Sequence, residues 1–230
     1  MSLACGLDFG TSNSTLGRVD AGGVPRLLPL EGERETIPSV LFFDFETDRV
    51  RFGRDAVAEY VSGADGRLMR SLKSVLGTAL MGDTTRIKAQ RYDFIDILGL
   101  FIAELKRRGE AASGREIDRV VCGRPVAFVD DDPAADAQAQ DQLEGALRSQ
   151  GFREVAFQFE PIAAALDYER QVDRERLALI VDLGGGTSDF SLVRVSPERA
   201  GAEDRSGDIL ATGGVHVGGT DFDRLLSLRK

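Results

Sequence analysis

Apolar residues recur along this chain in two rhythms, one of alternating or fully apolar short runs and one of helical spacing. Residues 3–19 read as two strands joined by a tight turn, with 24–30 supplying a third strand of a meander. Residues 37–43 read as a further strand, and 50–53 return antiparallel to it. Segments 55–61 and 68–80 have the spacing of short helices. Phe94, Ile95, Ile97, Leu98, Phe101, Ile102 and Leu105 fall on one helical face and predict an amphipathic, core-packed helix over about 93–108. A short buried strand over 119–123 stops at Arg124-Pro125. Pro133 suits the first turn of a long helix that runs to about Gln150 and closes on Gly151. The aspartates 130–132 before it read as an acidic helix start favoured by the macrodipole, in preference to a metal site. Residues 155–159 form a strand, and Pro161 opens a helix over 162–170. After the charged connection 173–176 come a second hairpin over 177–195, a polar turn over 197–207 and a third strand over 208–216. Thr220 with Asp223 forms a capping-box variant that starts a helix near Asp221. Strands and helices interleave throughout, so the fold class is α/β.

The two hairpins repeat one chemical pattern. Leu7-Asp8-Phe9-Gly10-Thr11-Ser12-Asn13-Ser14 and Val181-Asp182-Leu183-Gly184-Gly185-Gly186-Thr187-Ser188-Asp189 each end an apolar run in Asp, turn through Gly, Thr and Ser, and return to a strand. Glycine exposes backbone N–H groups, and a run of them forms a concave nest that binds anions. A carboxylate beside phosphates holds Mg²⁺ through its waters. One copy alone is an ordinary hairpin turn; two copies in the same order predict a two-sided phosphate clamp that binds a nucleotide between two related lobes. No Walker loop is present, and strand pattern follows each turn.

Composition narrows the partners. Of 230 residues, 42% are hydrophobic and 29% charged, which is the balance of a globular protein able to bury a core. The net charge of −9 argues against sequence-independent nucleic-acid binding. No apolar run is long enough to span a bilayer, so no membrane partner is expected. Cys5 and Cys122 lie in strand-like apolar runs without metal spacing, which predicts buried reduced thiols and a cytoplasmic protein. His216, the only histidine, has no partner His or Cys and reads as structural.

In combination and order these motifs resemble the DnaK-type heat-shock chaperones of the actin-like ATPase superfamily, with the YegD-like branch nearest. The two phosphate motifs carry the resemblance, together with Phe159-Glu160-Pro161-Ile162-Ala163-Ala164-Ala165-Leu166, the segment from His216 to Asp223, and Lys73-Ser74-Val75-Leu76-Gly77. It covers about 3–230 and implies an actin-like ATPase, ribonuclease H-like fold. The first lobe would span 1–172, with an inserted subdomain over 37–117, and 173–230 would be the start of an incomplete second lobe. The implied cofactors are ATP or ADP and Mg²⁺. Asp8, Asp182 and Glu160 would order the metal's waters. Lys73, Glu160, Asp182, Thr187 and Asp189 would serve catalysis. Gly10, Thr11, Ser12, Asn13, Gly184, Gly185, Gly186, Thr187, Gly218 and Gly219 would hold the nucleotide. Each also has a plain reading: a solvated lysine, a first-turn helix acid, a turn aspartate. Arg124 departs from the family pattern, which has an apolar residue there, and Ser12 stands for a common threonine. The family grips adenosine with segments this chain does not contain, which implies weak ATP binding by the chain alone. Client peptides and co-chaperones would meet the full-length protein, and an open sheet edge would let this chain dimerise. Two other readings stay open: an actin-fold sugar or metabolite kinase, and a non-catalytic nucleotide switch or actin-like filament protein.

Overall fold

The computed structural model describes residues 2–228 except Glu203 and His216, so the reading of His216 lies outside the described residues. The chain separates into two compact units, one of residues 1–122 and 127–157, the other of 123–126 and 158–230.

The first unit is built on a six-stranded sheet. Its strands are β1 (Leu3–Phe9), β2 (Asn13–Val19), β3 (Pro25–Leu27) and β4 (Thr36–Pro38), joined later in the chain by two more. Strands β5 (Val40–Asp44), β6 (Val50–Phe52) and β7 (Gly66–Arg70) form a smaller sheet, with helix α1 (Gly53–Ser62) between the last two. Two short 3-10 turns, Leu72–Val75 and Ala79–Gly82, lead to a hairpin of β8 (Thr84–Ile87) and β9 (Gln90–Asp93). Helix α2 (Phe94–Ser113), strand β10 (Ile117–Arg124), helix α3 (Pro133–Ser149) and strand β11 (Glu154–Phe159) follow. The large sheet runs β11-β10-β1-β2-β3, with β4 also on β2. β1 alternates strictly: Leu3, Cys5, Leu7 and Phe9 are buried, whereas Ala4, Gly6 and Asp8 are exposed. The buried set packs with the α2 stripe, Ile97, Leu98, Phe101, Ile102 and Leu105, in one apolar core. The Phe9 and Phe101 rings sit 6.1 Å apart within it.

Two segments fold differently from their sequence pattern, and a third gave no reading. Residues 68–80 form no α-helix: β7 pairs with β5, and Ser71 then turns left-handed at φ 57° before the 3-10 turns. Tertiary pairing with the apolar β5 overrides the helical spacing. Residues 37–43 are not one strand, because the chain leaves the large sheet after Pro38 and enters the small one at Val40. The third is the hairpin of β8 and β9: β8 alternates exposed and buried residues over four positions only, and β9 offers Tyr92 alone among polar residues. The acidic helix start behaves as expected: Asp132 Oδ1 accepts from the N–H groups of Ala134 and Ala135 at 3.1 and 3.0 Å. Gly151, at φ 87°, takes the left-handed position just past α3.

The second unit is smaller. Helix α4 (Glu160–Glu169) packs on a three-stranded antiparallel sheet of β12 (Arg176–Leu183), β13 (Ser188–Val195) and β14 (Ile209–Val215), and helix α5 (Gly219–Ser227) follows. Ile162 and Ala165 of α4 meet Val193 and Val195 of β13, with Ala178 and Ile180 alongside. The opposite face of β12, bearing Leu177, Leu179, Val181 and Leu183, is exposed. Among the described residues β12 and β14 each have one strand neighbour, so both outer edges are open. No helix of the described residues is long and apolar enough to cross a membrane. Cys5 and Cys122 are free and buried.

Candidate functional site

The two Gly-Thr-Ser turns close in the same way although they belong to different units. In the first, Gly10 N–H donates to Asn13 O at 3.1 Å. In the second, Gly184 N–H donates to Thr187 O at 2.9 Å. Both are the same tight turn, closed between a glycine and the residue three positions on, and in each an Asp stands two residues before that glycine.

In the first turn, Ser39 fixes the backbone from behind. Its hydroxyl donates to Gly10 O at 2.7 Å and its N–H donates to Ser12 O at 2.8 Å. The Ser14 and Ser39 hydroxyls, both fully buried, lie 2.9 Å apart. The turn's carbonyls therefore face the protein, and the Thr11 and Ser12 N–H groups have no partner among the described residues. A Cβ on Gly10 would stand 2.3 Å from Asn13 O, so only glycine fits. Asp8 is exposed one residue before Phe9, opposite Thr15 on β2. Ser39 was not singled out from the sequence; the Pro38-Ser39 break between two apolar runs is the signal that could have found it.

In the second turn the bracing comes from the start of α5. Gly219 N–H donates to Gly184 O at 3.0 Å, and Thr220 gives Gly185 O both its N–H, at 2.8 Å, and its hydroxyl, at 2.7 Å. The first-turn amides of α5 are thus satisfied by loop carbonyls, while the amides of Gly185 and Gly186 have no partner among the described residues. The positive end of the α5 dipole lies behind the loop. Gly218 presses on it as well, since a Cβ there would come within 2.6 Å of Gly185 C and Gly186 N. Gly218 and Gly219 accordingly touch the loop itself. The α5 cap differs from the sequence reading: Asp221 Oδ2, not Asp223, accepts from the Gly218 N–H at 3.0 Å.

Around this loop the acids are ordered by the sheet. Asp182 and Asp189 are directly opposite in the β12–β13 ladder, on the face that seats α4, whose first residue is Glu160. Asp189 Oδ2 accepts the Thr187 hydroxyl at 2.7 Å, and Asp189 Oδ1 lies over Gly214, where a Cβ would approach to 2.6 Å. Like charges paired across a ladder repel, so a cation beside them is favourable. Among the described residues no three His, Cys, Asp or Glu side chains converge closely enough to hold a metal on their own. Such a set suits Mg²⁺ held mainly by waters and phosphate oxygens. Arg124, the departure from the family pattern, lies over the Phe159 ring at 5.2 Å and donates from Nε to Pro125 O at 3.0 Å. It steadies the residue before Glu160. Lys73 sits half-buried on the first 3-10 turn of the first unit. Gly77 fixes that segment: its N–H donates to Gln142 Oε1 at 2.9 Å, and at φ 71° it lies against α3, 2.7 Å from Ala135 O at the Cβ position.

The family profile described as "Hsp70 protein" matches residues 83–228 of this chain. The chain belongs to the Hsp70 family. Its fold is therefore the actin-like ATPase fold of Hsp70 proteins. Over 97% of its length it is 32% identical to the Chaperone protein HscA homolog of Aeromonas salmonicida (strain A449), covering 36% of that protein. It is 31% identical to Chaperone protein HscA of Serratia proteamaculans (strain 568), over 98% of this chain and 37% of the relative. With Chaperone protein DnaK of Thermotoga neapolitana the identity is 32%, over 96% of this chain and 34% of the relative. The chain thus spans about a third of the length of these relatives. They do not bear on the finer placement in a YegD-like branch.

Proposed function

We propose that this Hsp70 chain binds the phosphates of ATP or ADP together with Mg²⁺, and that the full-length protein hydrolyses ATP as a chaperone. One observation carries the reading: both turns point their carbonyls inward onto fixed donors and leave consecutive amides free, which is the form of a phosphate nest. In this reading Gly10, Thr11, Ser12 and Asn13 hold phosphate oxygens in the first unit, and Gly184, Gly185, Gly186 and Thr187 do so in the second. Asp8, Asp182 and Glu160 order the waters of Mg²⁺. Asp189 holds the Thr187 hydroxyl, and Thr187 with Lys73 orients the attacking water. Phosphoryl transfer needs positioning and charge stabilisation more than covalent chemistry, so such groups suffice. Bound Mg²⁺ would neutralise the charge that develops on the phosphates.

The relatives named HscA and DnaK are chaperones, and client peptides and co-chaperones are proposed as partners of the full-length protein on that ground. Two free buried thiols fit a cytoplasmic setting. The open edges of β12 and β14 would let the isolated chain associate with itself.

The test is Mg²⁺-dependent ATP turnover by the full-length protein, wild type beside Lys73→Ala, with the 230-residue chain as a third sample. A fall of at least about tenfold in the variant supports the assignment. ATP binding without turnover in the wild type would make the protein a nucleotide-controlled switch instead.

A further inference from the structure

The second unit buries a charged network that the phosphate site does not use. Glu169, the last residue of α4, is 2% exposed, Arg205 3% and Asp208 0%. Arg205 grips Glu169 with two parallel bonds, Nη1 to Oε2 at 3.0 Å and Nη2 to Oε1 at 2.9 Å. Its Nε donates to Asp208 Oδ2, and Arg199 pairs with the other oxygen of Asp208. Ser196 N–H, just past the end of β13, also donates to Glu169 Oε1 at 2.8 Å. The sequence presents this region only as a polar turn.

The placement of these groups links them to the phosphate loop. Helix α4 has ten residues and is about 15 Å long, with Glu160 at its start and Glu169 at its end. Strand β13 begins at Ser188 and Asp189, beside the glycine turn, and ends at Val195, one residue before the Ser196 N–H that meets Glu169. Helix and strand therefore converge on the same lock, and their opposite ends carry Glu160 and Asp189. Between those ends the apolar seat is small, with Ile162 and Ala165 of α4 fully buried against Val193 and Val195. Apolar contact of that size is non-directional and leaves the axial position of α4 loosely specified. A forked guanidinium–carboxylate pair is directional and fixes it.

We infer that Arg205 is a positioning residue: through Glu169 it sets α4 along β13 so that Glu160 stands at the Mg²⁺ waters beside Asp182 and Asp189. This rests on the Mg·ATP reading given above. A buried ion pair of this kind contributes little net stability compared with a packed apolar replacement, so geometry is the advantage it retains.

The experiment titrates Mg²⁺ against ATP turnover, and against ATP binding, in the full-length protein. The variants are Arg205→Lys, Arg205→Met, Glu160→Gln and the apolar triple Glu169→Met, Arg205→Met, Asp208→Leu. The triple removes the three buried charges together and leaves only Arg199, whose side chain is 37% exposed and reaches solvent, so it stays folded where Arg205→Met alone fails. We expect Glu160→Gln to raise the half-saturating Mg²⁺ at least about tenfold and the folded triple at least about fivefold. KM for ATP at saturating Mg²⁺ should stay within about twofold, and Arg205→Lys, which keeps the charge without the fork, should fall between wild type and triple. A folded triple with wild-type Mg²⁺ dependence overturns the positioning role. So does a triple that cannot fold, which would make the network a folding device. If Glu160→Gln leaves the Mg²⁺ dependence unchanged, the role of Glu160 falls and the inference with it. A wild type that neither binds nor hydrolyses ATP overturns the Mg·ATP reading itself.

Discussion

Three glycines of similar appearance in sequence have different roles. At Gly10 an added methyl would meet Asn13 O at 2.3 Å, inside the bond that closes the turn. Gly10→Ala should cost about 1–3 kcal/mol in a urea melt and abolish phosphate binding by the first turn. At Gly218 the methyl would strike the backbone of Gly185 and Gly186 rather than its own turn. Gly218→Ala should therefore weaken ATP binding at least about tenfold with a smaller loss of stability, read by calorimetric titration beside the same melt. Gly186 has nothing within 4 Å of its Cβ position, so Gly186→Ala should leave stability within about 0.5 kcal/mol. Cys5 offers a residue-scale test by pH. Burial lifts its thiol from 9.0 to about 12, with Lys106 opposing the shift. The folded state then holds a proton that the unfolded chain releases above pH 9, so this contribution is complete below pH 9 and is lost as pH rises towards 12. Urea melts of wild type and Cys5→Ala should diverge across that window, and native-state alkylation near neutral pH should leave Cys5 unmodified.

At the scale of elements, what the sequence revealed depended on whether a feature was local. The α2 stripe, the Asp132 cap and both Gly-Thr-Ser turns are set by neighbours within a few residues, and their patterns are plain in the chain. Ser39 reaches a loop 29 positions earlier and Arg205 a helix end 36 positions earlier, so no spacing announces either. The 68–80 segment failed for the related reason that β5 claims β7 as its partner. Ser39→Ala should cost about 1–3 kcal/mol, because it orphans the buried Ser14 hydroxyl and frees Gly10 O. Arg205→Met should cost about 3–5 kcal/mol by leaving the buried Glu169 carboxylate without an ion pair and Asp208 with Arg199 alone, whereas the apolar triple described above should be nearly neutral, both read from urea midpoints. If the single and triple variants were equally destabilised, the Coulombic account of the network would fail.

For the whole molecule, the exposed β12 face decides how the chain behaves on its own. Leu177, Leu179, Val181 and Leu183 are each about half exposed or more, and α5 adds Phe222, Leu225 and Leu226. A contiguous apolar face on an open-edged sheet binds amphiphilic dyes and promotes association, and a net charge of −9 opposes it only weakly at physiological salt. Sedimentation velocity of the 230-residue chain should show concentration-dependent association. Replacing Leu179 and Val181 with Glu should suppress it. A monomer at every concentration, with β12 amides strongly protected from exchange, would contradict this expectation.

The bracing of the second turn has a consequence beyond holding its shape. The peptide unit joining Gly185 to Gly186 has two polar ends: the Gly186 amide is open at the front, and the Gly185 carbonyl takes both donors of Thr220 behind. An anion drawing on that amide polarises the same peptide unit and strengthens the bonds at its back, as successive hydrogen bonds in a line reinforce one another. Arrival of a phosphate would then register on the other side of the loop, as slower amide exchange in the opening turn of α5. The loop would report occupancy to the helix that braces it from behind.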